Sequence, residues 1–417
     1  MRRRRVGALL AALLGALALG AGAGAAEPSH DKGPHHKTSG PQVLAKSWAL
    51  IDGRTGEVLT SHAGEERLPI ASTTKLMTAY VAIKDMPLSK IVRAQPYEAE
   101  FGESLMGLRV GQKISVEDLL YGLILRSGND AANTLAIDAA GSVKKFVAQM
   151  NRYAAALGLT NTHYANPVGL DQKGNYSSAL DLAALTEELE RLPAFAKIAA
   201  SREAVLKSVH PVRRIKTINA LLGMAPWVTG VKTGHTWKAG YVLVGSGAKR
   251  GIHLISVAID APTDETRFSD NLELLEWGFR RYHRRKALRK GQELASPSIR
   301  YSGGELPLLA AHSLKVGLRE GQKVAVEVDA PRRVTGPIRR GARLGSAMVT
   351  VDGLRAGSVP LLASRHIPAP SAFDKARGFV GEHPVPLAIA ACAILLLAML
   401  LGRAVRRIRR GKRVWQK

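Results

Sequence analysis

Three short motifs stand in a fixed order along this 417-residue chain and constrain its fold and chemistry more than any other feature. They are Ser72-Thr73-Thr74-Lys75, Ser127-Gly128-Asn129 and Lys232-Thr233-Gly234, the last of which occurs only once. Each motif alone is weak, because Ser-x-x-Lys also occurs at residues 29–32, 142–145 and 246–249, and Ser-Asp-Asn at 269–271. The copies at residues 142, 246 and 269 stand in the wrong order relative to the other motifs. The copy at residue 29 is not followed by an apolar helix. The ordered set therefore predicts a serine acyl-transfer site at Ser72.

The first motif provides a nucleophile and a base. A serine hydroxyl attacks well only when a neighbouring group removes its proton. The stretch from Ser72 to Lys84 predicts a helix that begins directly after Ala71, because it carries apolar residues at helical spacing: Leu76, Met77, Tyr80 and Ile83. Residues three apart share a helix face, which places Lys75 beside Ser72. Lys75 is a base only while neutral, so we expect burial and the nearby charge of Lys232 to lower its pKa.

The second and third motifs are predicted to line the same cleft. Ser127-Gly128-Asn129 follows a predicted helix that begins at Ser115, so the motif lies in a turn between two helices. Lys232-Thr233-Gly234 opens a predicted strand pair, with alternating apolar runs at residues 241–245 and 252–259. An edge strand offers unpaired backbone groups to an extended peptide, and a glycine lets that peptide approach closely.

Residues 70–78, 127–132 and 231–236 together resemble the low-molecular-mass penicillin-binding proteins, and more narrowly the serine D-alanyl-D-alanine carboxypeptidases. Residues 162–170, 239–241, 267–270 and 277–279 agree with this resemblance. The likeness covers residues 46–284 and then thins to a general likeness to the small β-rich domain of these enzymes. It implies an α/β (α+β) fold in which an antiparallel sheet is flanked by helices, with the active site between the sheet and a helical lobe.

The resemblance also implies a role for each site residue. Ser72 is the nucleophile, Lys75 its base, and Ser127 a proton shuttle that works with Lys232. Asn129 bonds to the substrate peptide, and the backbone N–H groups of Ser72 and His235 form the oxyanion hole. The substrate carboxylate is received by three residues around Gly234: Lys232, Thr233 and Thr236. No cofactor is implied, and no metal is predicted, since the histidines show no metal-ligand spacing.

The implied reaction removes the terminal D-alanine from peptidoglycan stem pentapeptides through an acyl-enzyme, with β-lactam antibiotics as inhibitors. A D,D-endopeptidase, a β-lactamase or a non-catalytic wall-binding protein on the same fold are the alternatives. Class A β-lactamases use a glutamate to activate the deacylating water, and residues 171–177 contain no corresponding Glu-Pro motif. We therefore expect the ester that penicillin forms with the enzyme to be hydrolysed slowly, so that penicillin inhibits the enzyme.

The formal net charge of +26 is concentrated at the two ends of the chain. Four arginines at residues 2–5 and eight basic residues at 403–417 leave +14 for the rest. Nucleic acid is the usual partner of a basic chain, but an exported domain rarely meets it. An anionic lipid or an anionic wall polymer is the expected partner of this charge, and no nucleic acid is expected.

Composition predicts an exported, membrane-anchored enzyme. We assign residues 1–26 to a signal peptide, 27–42 to a disordered leader, 43–285 to the catalytic domain and 286–365 to a small β-rich domain. Residues 366–384 are assigned to a linker, 385–402 to a transmembrane helix and 403–417 to a basic cytoplasmic tail. These assignments place the catalytic domain outside the cell membrane. The only cysteine, Cys392, lies in the predicted membrane helix, so no disulfide is expected.

Overall fold

The computed structural model describes residues 40–376 and 384–412. The predicted signal peptide and most of the predicted leader lie outside these residues. The strands are β1 Ser47–Asp52, β2 Val58–His62, β3 Ile91–Arg93, β4 Lys113–Ser115, β5 Glu203–Leu206, β6 Arg213–Lys216, β7 Val228–Thr236, β8 Gly240–Lys249, β9 Ile252–Ala261, β10 His283–Leu288, β11 Glu293–Ala295, β12 Ser298–Ile299, β13 Leu308–Ala310, β14 Leu314–Leu318, β15 Val324–Asp329, β16 Arg333–Val334, β17 Arg343–Val351 and β18 Leu354–Ala363. The helices are α1 Lys75–Asp85, α2 Val116–Leu125, α3 Asn129–Ala140, α4 Val143–Ala156, α5 Ala179–Glu190, α6 Pro193–Ala199, α7 Leu221–Met224, α8 Asp264–Arg280 and α9 Pro384–Lys412.

Five antiparallel strands form the central sheet, in the order β2-β1-β9-β8-β7. Strands β8 and β9 are almost wholly buried because helices cover both of their faces. On one face α8 packs its apolar residues, such as Leu274 and Leu275, against Leu243 and Leu254 of the sheet. Strand β7 lies at the edge, as the sequence predicts. The α/β prediction of an antiparallel sheet flanked by helices is confirmed.

The opposite face of the sheet is covered by a helical lobe around α1. The first eight residues of α1, from Lys75 to Ala82, are all buried, because α2, α3, α4 and α5 pack around it. Ser115 caps α2 by accepting a hydrogen bond from the N–H of Asp118, so the helix predicted to begin there is observed. The Ser127-Gly128 turn joins α2 to α3.

Ser72 does not begin an α-helix. It lies in a 3-10 turn, Ala71–Thr74, that leads into α1. Ala71 enters this turn with a positive φ of 47°, and both the N–H and the hydroxyl of Thr73 donate to the carbonyl of Ile70. The α-helix therefore begins at Lys75, about one turn later than predicted, because these local bonds tighten the first turn. Ser72 still sits at the N-terminal end of the helical segment.

Residues from β10 onward form a second, β-rich part with its own core. Its main sheet has the order β11-β13-β18-β17-β15, while β10 pairs with β14 and β12 with β16. Its core includes Leu308, Val349, Val359 and Ile367. Two contacts fasten it to the catalytic sheet: Tyr282 donates a hydrogen bond of 2.6 Å to the Asp52 carboxylate, and Arg319 pairs with Glu57.

The prediction of a transmembrane helix at residues 385–402 is wrong. Helix α9 covers this stretch, but within the described residues no helix has the combination of length and apolarity needed to cross a bilayer. The apolar run from Val385 to Leu401 extends about 26 Å at 1.5 Å per residue, short of the roughly 30 Å hydrocarbon core. The helix continues beyond it into the basic residues that begin at Arg403.

Candidate active site

The hydroxyl of Ser72 and the amine of Lys75 meet at the centre of the site. Lys75 Nζ lies 2.9 Å from Ser72 Oγ, which is the contact predicted from their spacing. Lys75 is fully buried, whereas Ser72 is partly exposed. The arrangement gives a serine that a ligand can reach and a base that water cannot.

The amine of Lys75 is held by backbone from a distant part of the chain. It also donates to the carbonyl of Val168, and Asn166 fixes that segment by accepting hydrogen bonds from the N–H groups of Val168 and Gly169. Gly169 has φ of 90°, and a Cβ there would lie 2.0 Å from the carbonyl oxygen of Ala71. Glycine is therefore required for this segment to pass directly beside the nucleophile.

A second serine and lysine pair lies beside the first. Lys232 Nζ donates to Ser127 Oγ at 2.9 Å and to the carbonyl of Thr233 at 2.7 Å, and Lys232 is fully buried. Ser127 has φ of 58°, a backbone conformation that is costly for a residue with a side chain and that recurs at functional sites. The turn between α2 and α3 thus aims the hydroxyl of Ser127 at the amine on the sheet.

Burial sets the protonation of both amines. It lowers the pKa of Lys75 to about 7, although the negative charges of Glu103 and Asp130 act against the shift. Burial, followed by the positive charges of Lys75 and Arg267, lowers the pKa of Lys232 well below its usual range. The predicted charge effect between the two lysines thus acts on Lys232, and burial accounts for the shift at Lys75.

Asn129 is oriented by a residue that the sequence reading missed. Its Nδ2 donates to Glu103 Oε2 at 2.6 Å, and Tyr97 donates its hydroxyl to the same carboxylate. Although burial opposes it, these hydrogen bonds lower the pKa of Glu103 and keep it charged. The buried Oδ1 of Asn129 has no partner among residues 40–376 and 384–412. That oxygen can accept a hydrogen bond from a backbone N–H of a bound peptide.

The edge strand β7 passes directly in front of the nucleophile. A Cβ on Gly234 would lie 3.0 Å from the backbone nitrogen of Ser72 and 3.0 Å from the Cβ of Ala71. Glycine at this position keeps open the space before the Ser72 N–H, which is one of the two predicted oxyanion donors. The other donor belongs to His235, whose exposed ring stacks on Tyr241 with a centroid distance of 4.2 Å.

Arg267, on α8, holds strand β7 in position. Its Nη1 donates to the carbonyl of Gly234 at 2.8 Å, its Nη2 pairs with Asp264, and its guanidinium lies over the ring of Tyr241. In the sequence, Arg267 belongs only to one of the stretches that agree with the family resemblance. The spacing of Thr263, a good helix cap, from Arg267 could have placed this side chain one turn into α8 and facing the sheet.

Thr236 is already hydrogen-bonded in the free protein. Its hydroxyl donates to Asp171 Oδ1 at 2.8 Å and accepts from the N–H of Ala239 at 3.1 Å. The backbone N–H of Lys238 also donates to Asp171, at 3.3 Å. The predicted donation from Thr236 to a substrate carboxylate therefore requires the hydroxyl to leave Asp171. The adjacent Trp237 is 97% exposed.

A reachable serine, two buried lysines and an edge strand, set between a sheet and a helical lobe, define a serine acyl-transfer enzyme of the penicillin-binding class. Two family models match this chain. The one described as D-alanyl-D-alanine carboxypeptidase covers residues 34–263, and the one described as penicillin-binding protein 5, C-terminal domain, covers residues 282–369. The chain belongs to the D-alanyl-D-alanine carboxypeptidase family.

Relatives and solved structures agree with this membership. The chain is 31% identical over 329 residues to the D-alanyl-D-alanine carboxypeptidase DacF of Bacillus subtilis, covering 76% of this chain and 85% of DacF. It is 33% identical over 358 residues to DacC of Escherichia coli, covering 82% and 88% of the two chains. The crystal structure of penicillin binding protein 5 from Haemophilus influenzae matches with a TM-score of 0.55 at 30% identity, over 79% of this chain and 99% of that one.

Proposed function

We propose that this protein is a serine D,D-carboxypeptidase that removes the terminal D-alanine from peptidoglycan stem pentapeptides through an acyl-enzyme. The observation that carries the proposal is the pair of contacts at the site, Lys75 to Ser72 and Lys232 to Ser127, each 2.9 Å long. Both lysines are fully buried, which lowers the pKa of both amines; that of Lys75 is lowered to about 7, so Lys75 can exchange a proton with Ser72 near neutral pH.

Acylation begins with the neutral amine of Lys75. It takes the proton of the Ser72 hydroxyl as Oγ bonds to the carbonyl carbon of the penultimate D-alanine. The N–H groups of Ser72 and His235 stabilise the oxyanion. As the C–N bond breaks, the departing amine takes the hydroxyl proton of Ser127, and Lys75 gives Ser127 the proton that it took from Ser72, while Lys232 holds the Ser127 oxygen by its hydrogen bond. D-alanine leaves, and an ester on Ser72 remains.

Deacylation returns the enzyme to its starting state. Water attacks the ester carbonyl and gives its proton to Lys75, and Ser72 Oγ leaves with a proton returned from the amine. A β-lactam acylates Ser72 by the same first step, in which the amide C–N bond of its ring breaks and the ring opens. No Glu-Pro motif of the class A β-lactamases follows the helical lobe, so we expect the β-lactam ester to persist and the enzyme to be inhibited.

The free carboxylate of the substrate is received at the end of β7. Arg267 places positive charge beneath this strand, Lys232 offers its amine, and Thr233 and Thr236 offer hydroxyls along it. A carboxypeptidase substrate differs from an internal cross-link in this carboxylate, so the contact selects chain ends. We propose that the catalytic domain lies outside the cytoplasm, which the predicted export signal and the wall substrate both support.

Labelling with a fluorescent penicillin, followed by release of D-alanine from a pentapeptide, tests this function. We expect wild-type protein to give both, and Ser72→Ala to give neither while keeping its thermal unfolding temperature. Labelling of Ser72→Ala would remove Ser72 from its role. Wild-type labelling without D-alanine release would indicate an endopeptidase or a β-lactamase, and no labelling would indicate a non-catalytic wall-binding protein.

A further inference from the structure

A cationic cavity lies far along the sheet from the acyl-transfer site. It has a volume of about 210 Å³ and is formed by the β8–β9 turn, the C-terminal end of α8 and the start of β10. Lys249 and Arg250 contribute from the turn, Phe279 and Arg280 from the helix, and Arg284 from the strand. Lys249 ends β8, whereas Gly240 at its other end pairs with Thr236, roughly 30 Å away at 3.3 Å per residue.

Most of the positive charge in the cavity is uncompensated. Arg280 pairs with Glu273 at 3.2 Å and approaches Glu276, the one acidic lining residue, at 3.8 Å, and it also offsets the partial negative charge at the end of α8. In the described part of the chain, no carboxylate lies within ion-pair distance of Lys249, Arg250 or Arg284. Three cations therefore face one cavity without acidic partners.

Aromatic rings hold the central cation in position. Lys249 Nζ lies 5.6 Å from the ring centre of Trp227 and 5.8 Å from that of Phe279, and these two rings pack edge to face. Such contacts fix the ammonium without neutralising it. The ammonium group of Lys249 is thus held in position while it stays charged. An anionic ligand could bind it with little further loss of side-chain entropy.

The positive surface continues along β10 into the second part of the protein. Arg284 and Lys286 lie on one face of β10, about 7 Å apart, and His283, Arg284, Arg285 and Lys286 are all exposed. Residues 282–369 carry sixteen Lys and Arg residues against six Asp and Glu residues, a net charge of +10. Much of the basic balance between the two ends of the chain is therefore carried by the β-rich part, whose first strand borders this cavity.

We propose that this cavity and the adjoining face of β10 bind a phosphate-bearing anionic polymer of the cell wall. A cavity of about 210 Å³ is too small for a whole ligand of ordinary size, but it accepts one charged group of a longer chain. Two arginine forks and a lysine suit phosphate oxygens. The inference is independent of the acyl-transfer reaction, since it uses none of that site's residues.

The exposed surface favours a soluble polymer over a lipid bilayer. A protein surface that binds a bilayer usually inserts apolar side chains at the boundary between headgroups and acyl chains. None of the large exposed apolar residues in the described ranges falls within residues 249–252 or 276–288. Most of the exposed residues there are charged, and they would contact only headgroups.

The test compares two variants of the full chain, each lacking three positive charges. One is Lys249→Gln with Arg250→Gln and Arg284→Gln. The matched control is Lys144→Gln with Lys145→Gln and Arg152→Gln, three exposed residues of α4. We expect wild type to bind long-chain inorganic polyphosphate at low salt, the cavity variant to bind at least about tenfold more weakly with a shallower salt dependence, and the control to bind like wild type.

Labelling by fluorescent penicillin should be equal in all three proteins and reports correct folding. The proposal is overturned if wild type does not bind polyphosphate, or if both variants lose binding equally, since net charge alone would then explain it. It is also overturned if wild type binds polyglutamate as tightly as polyphosphate. Tighter binding to vesicles of phosphatidylglycerol than to polyphosphate, lost in the cavity variant, would assign the surface to lipid instead.

Discussion

At the scale of single residues, burial lowers the pKa of Lys75 enough for it to serve as a base, and its contact with Ser72 selects it over the equally buried Lys232. A lysine in water is charged at neutral pH and cannot accept a proton. Lys75 has its pKa lowered to about 7 because it is fully buried, and the carbonyl of Val168 holds its amine against Ser72. Serine activation in this protein therefore depends on backbone more than ninety positions away as much as on the motif itself.

The pH dependence of acylation follows from this shift. Lys75 must be neutral to take the proton of Ser72, and its neutral fraction grows as pH rises through about 7. The rate of labelling by fluorescent penicillin should therefore increase about tenfold per pH unit below the pKa and level off above it. The exposed Lys145→Ala should leave the profile unchanged. A profile that is flat from about pH 5.5 to about pH 9 would transfer the base role to another group.

Thr236 is expected to select substrates by their free carboxylate. Thr236→Val keeps the size and removes the hydroxyl, so capture of an acid substrate should weaken by about 1.5–3 kcal/mol if one charge-assisted hydrogen bond is lost. An amidated substrate should lose little. The measurement is the ratio of kcat/KM for acid and amide peptides on both proteins. Equal losses on both substrates would show that Thr236 does not contact the carboxylate.

Substitution of Asp171 should change the ratio of kcat/KM for acid and amide peptides in the opposite direction to Thr236→Val. The Asp171 carboxylate accepts a hydrogen bond of 2.8 Å from the Thr236 hydroxyl. It therefore places a negative charge where the substrate carboxylate is predicted to bind. Asp171→Asn removes the charge and keeps the shape, so kcat/KM should rise several-fold for acid substrates and stay unchanged for amides. A fall for both substrates would mean that Asp171 is needed to position the β7–β8 turn instead.

At the scale of elements, the close approach of β7 to the 3-10 turn of Ser72 sets the oxyanion site. Gly234→Ala would place a methyl group 3.0 Å from the Ser72 nitrogen, and the neighbouring backbone must then move by a few tenths of an ångström. We expect acylation to slow by about tenfold to a hundredfold, since small misplacements at a reacting centre are costly. Gly223→Ala on α7, which has open space around it, is the control. Normal acylation in Gly234→Ala would show that β7 is not fixed at this distance.

Local patterns predicted the elements that carry the chemistry. The spacing of Ser72 and Lys75, the capping Ser115 and the alternation in β8 and β9 each depend on residues close in sequence, and the structure has these contacts. The Ser-Asp-Asn at residues 269–271 lies inside α8, and its Asp270 accepts hydrogen bonds from the backbone that leads into β1. This contact joins residues more than 220 positions apart, so no local pattern indicates it.

The support around the site could not be read from the sequence. Glu103 bonds to Asn129 across 26 positions, and Arg267 bonds to Gly234 across 33. Such contacts depend on how loops cross the helical lobe and the sheet, and the periodicity of the sequence does not predict the path of a loop. The same holds for Asp171, which the sequence places in a loop with no indication that it meets Thr236.

At the scale of the whole molecule, the acyl-transfer residues all lie before β8, and Tyr282 joins the second part to the catalytic sheet. Tyr282 leads into β10 and donates its hydroxyl to Asp52 on β1 of the catalytic sheet, while Arg319 lies over its ring and pairs with Glu57. Burial and the Asp52 carboxylate raise the pKa of Tyr282, so it stays a hydrogen-bond donor across the physiological range. This contact orients the β-rich part relative to the catalytic sheet.

Tyr282→Phe tests whether this contact stabilises the protein without serving catalysis. The change removes only the hydroxyl, and the Asp52 oxygen loses a partner that is partly buried, so the free energy of unfolding should fall by about 1.5–3 kcal/mol. Thermal unfolding measures the loss, and Tyr301→Phe, whose hydroxyl has no protein partner in the described ranges, is the control. Penicillin labelling should keep its wild-type rate, because Tyr282 lies at the far end of the sheet from Ser72. A slower rate at unchanged stability would show instead that the β-rich part acts on the active site through this contact.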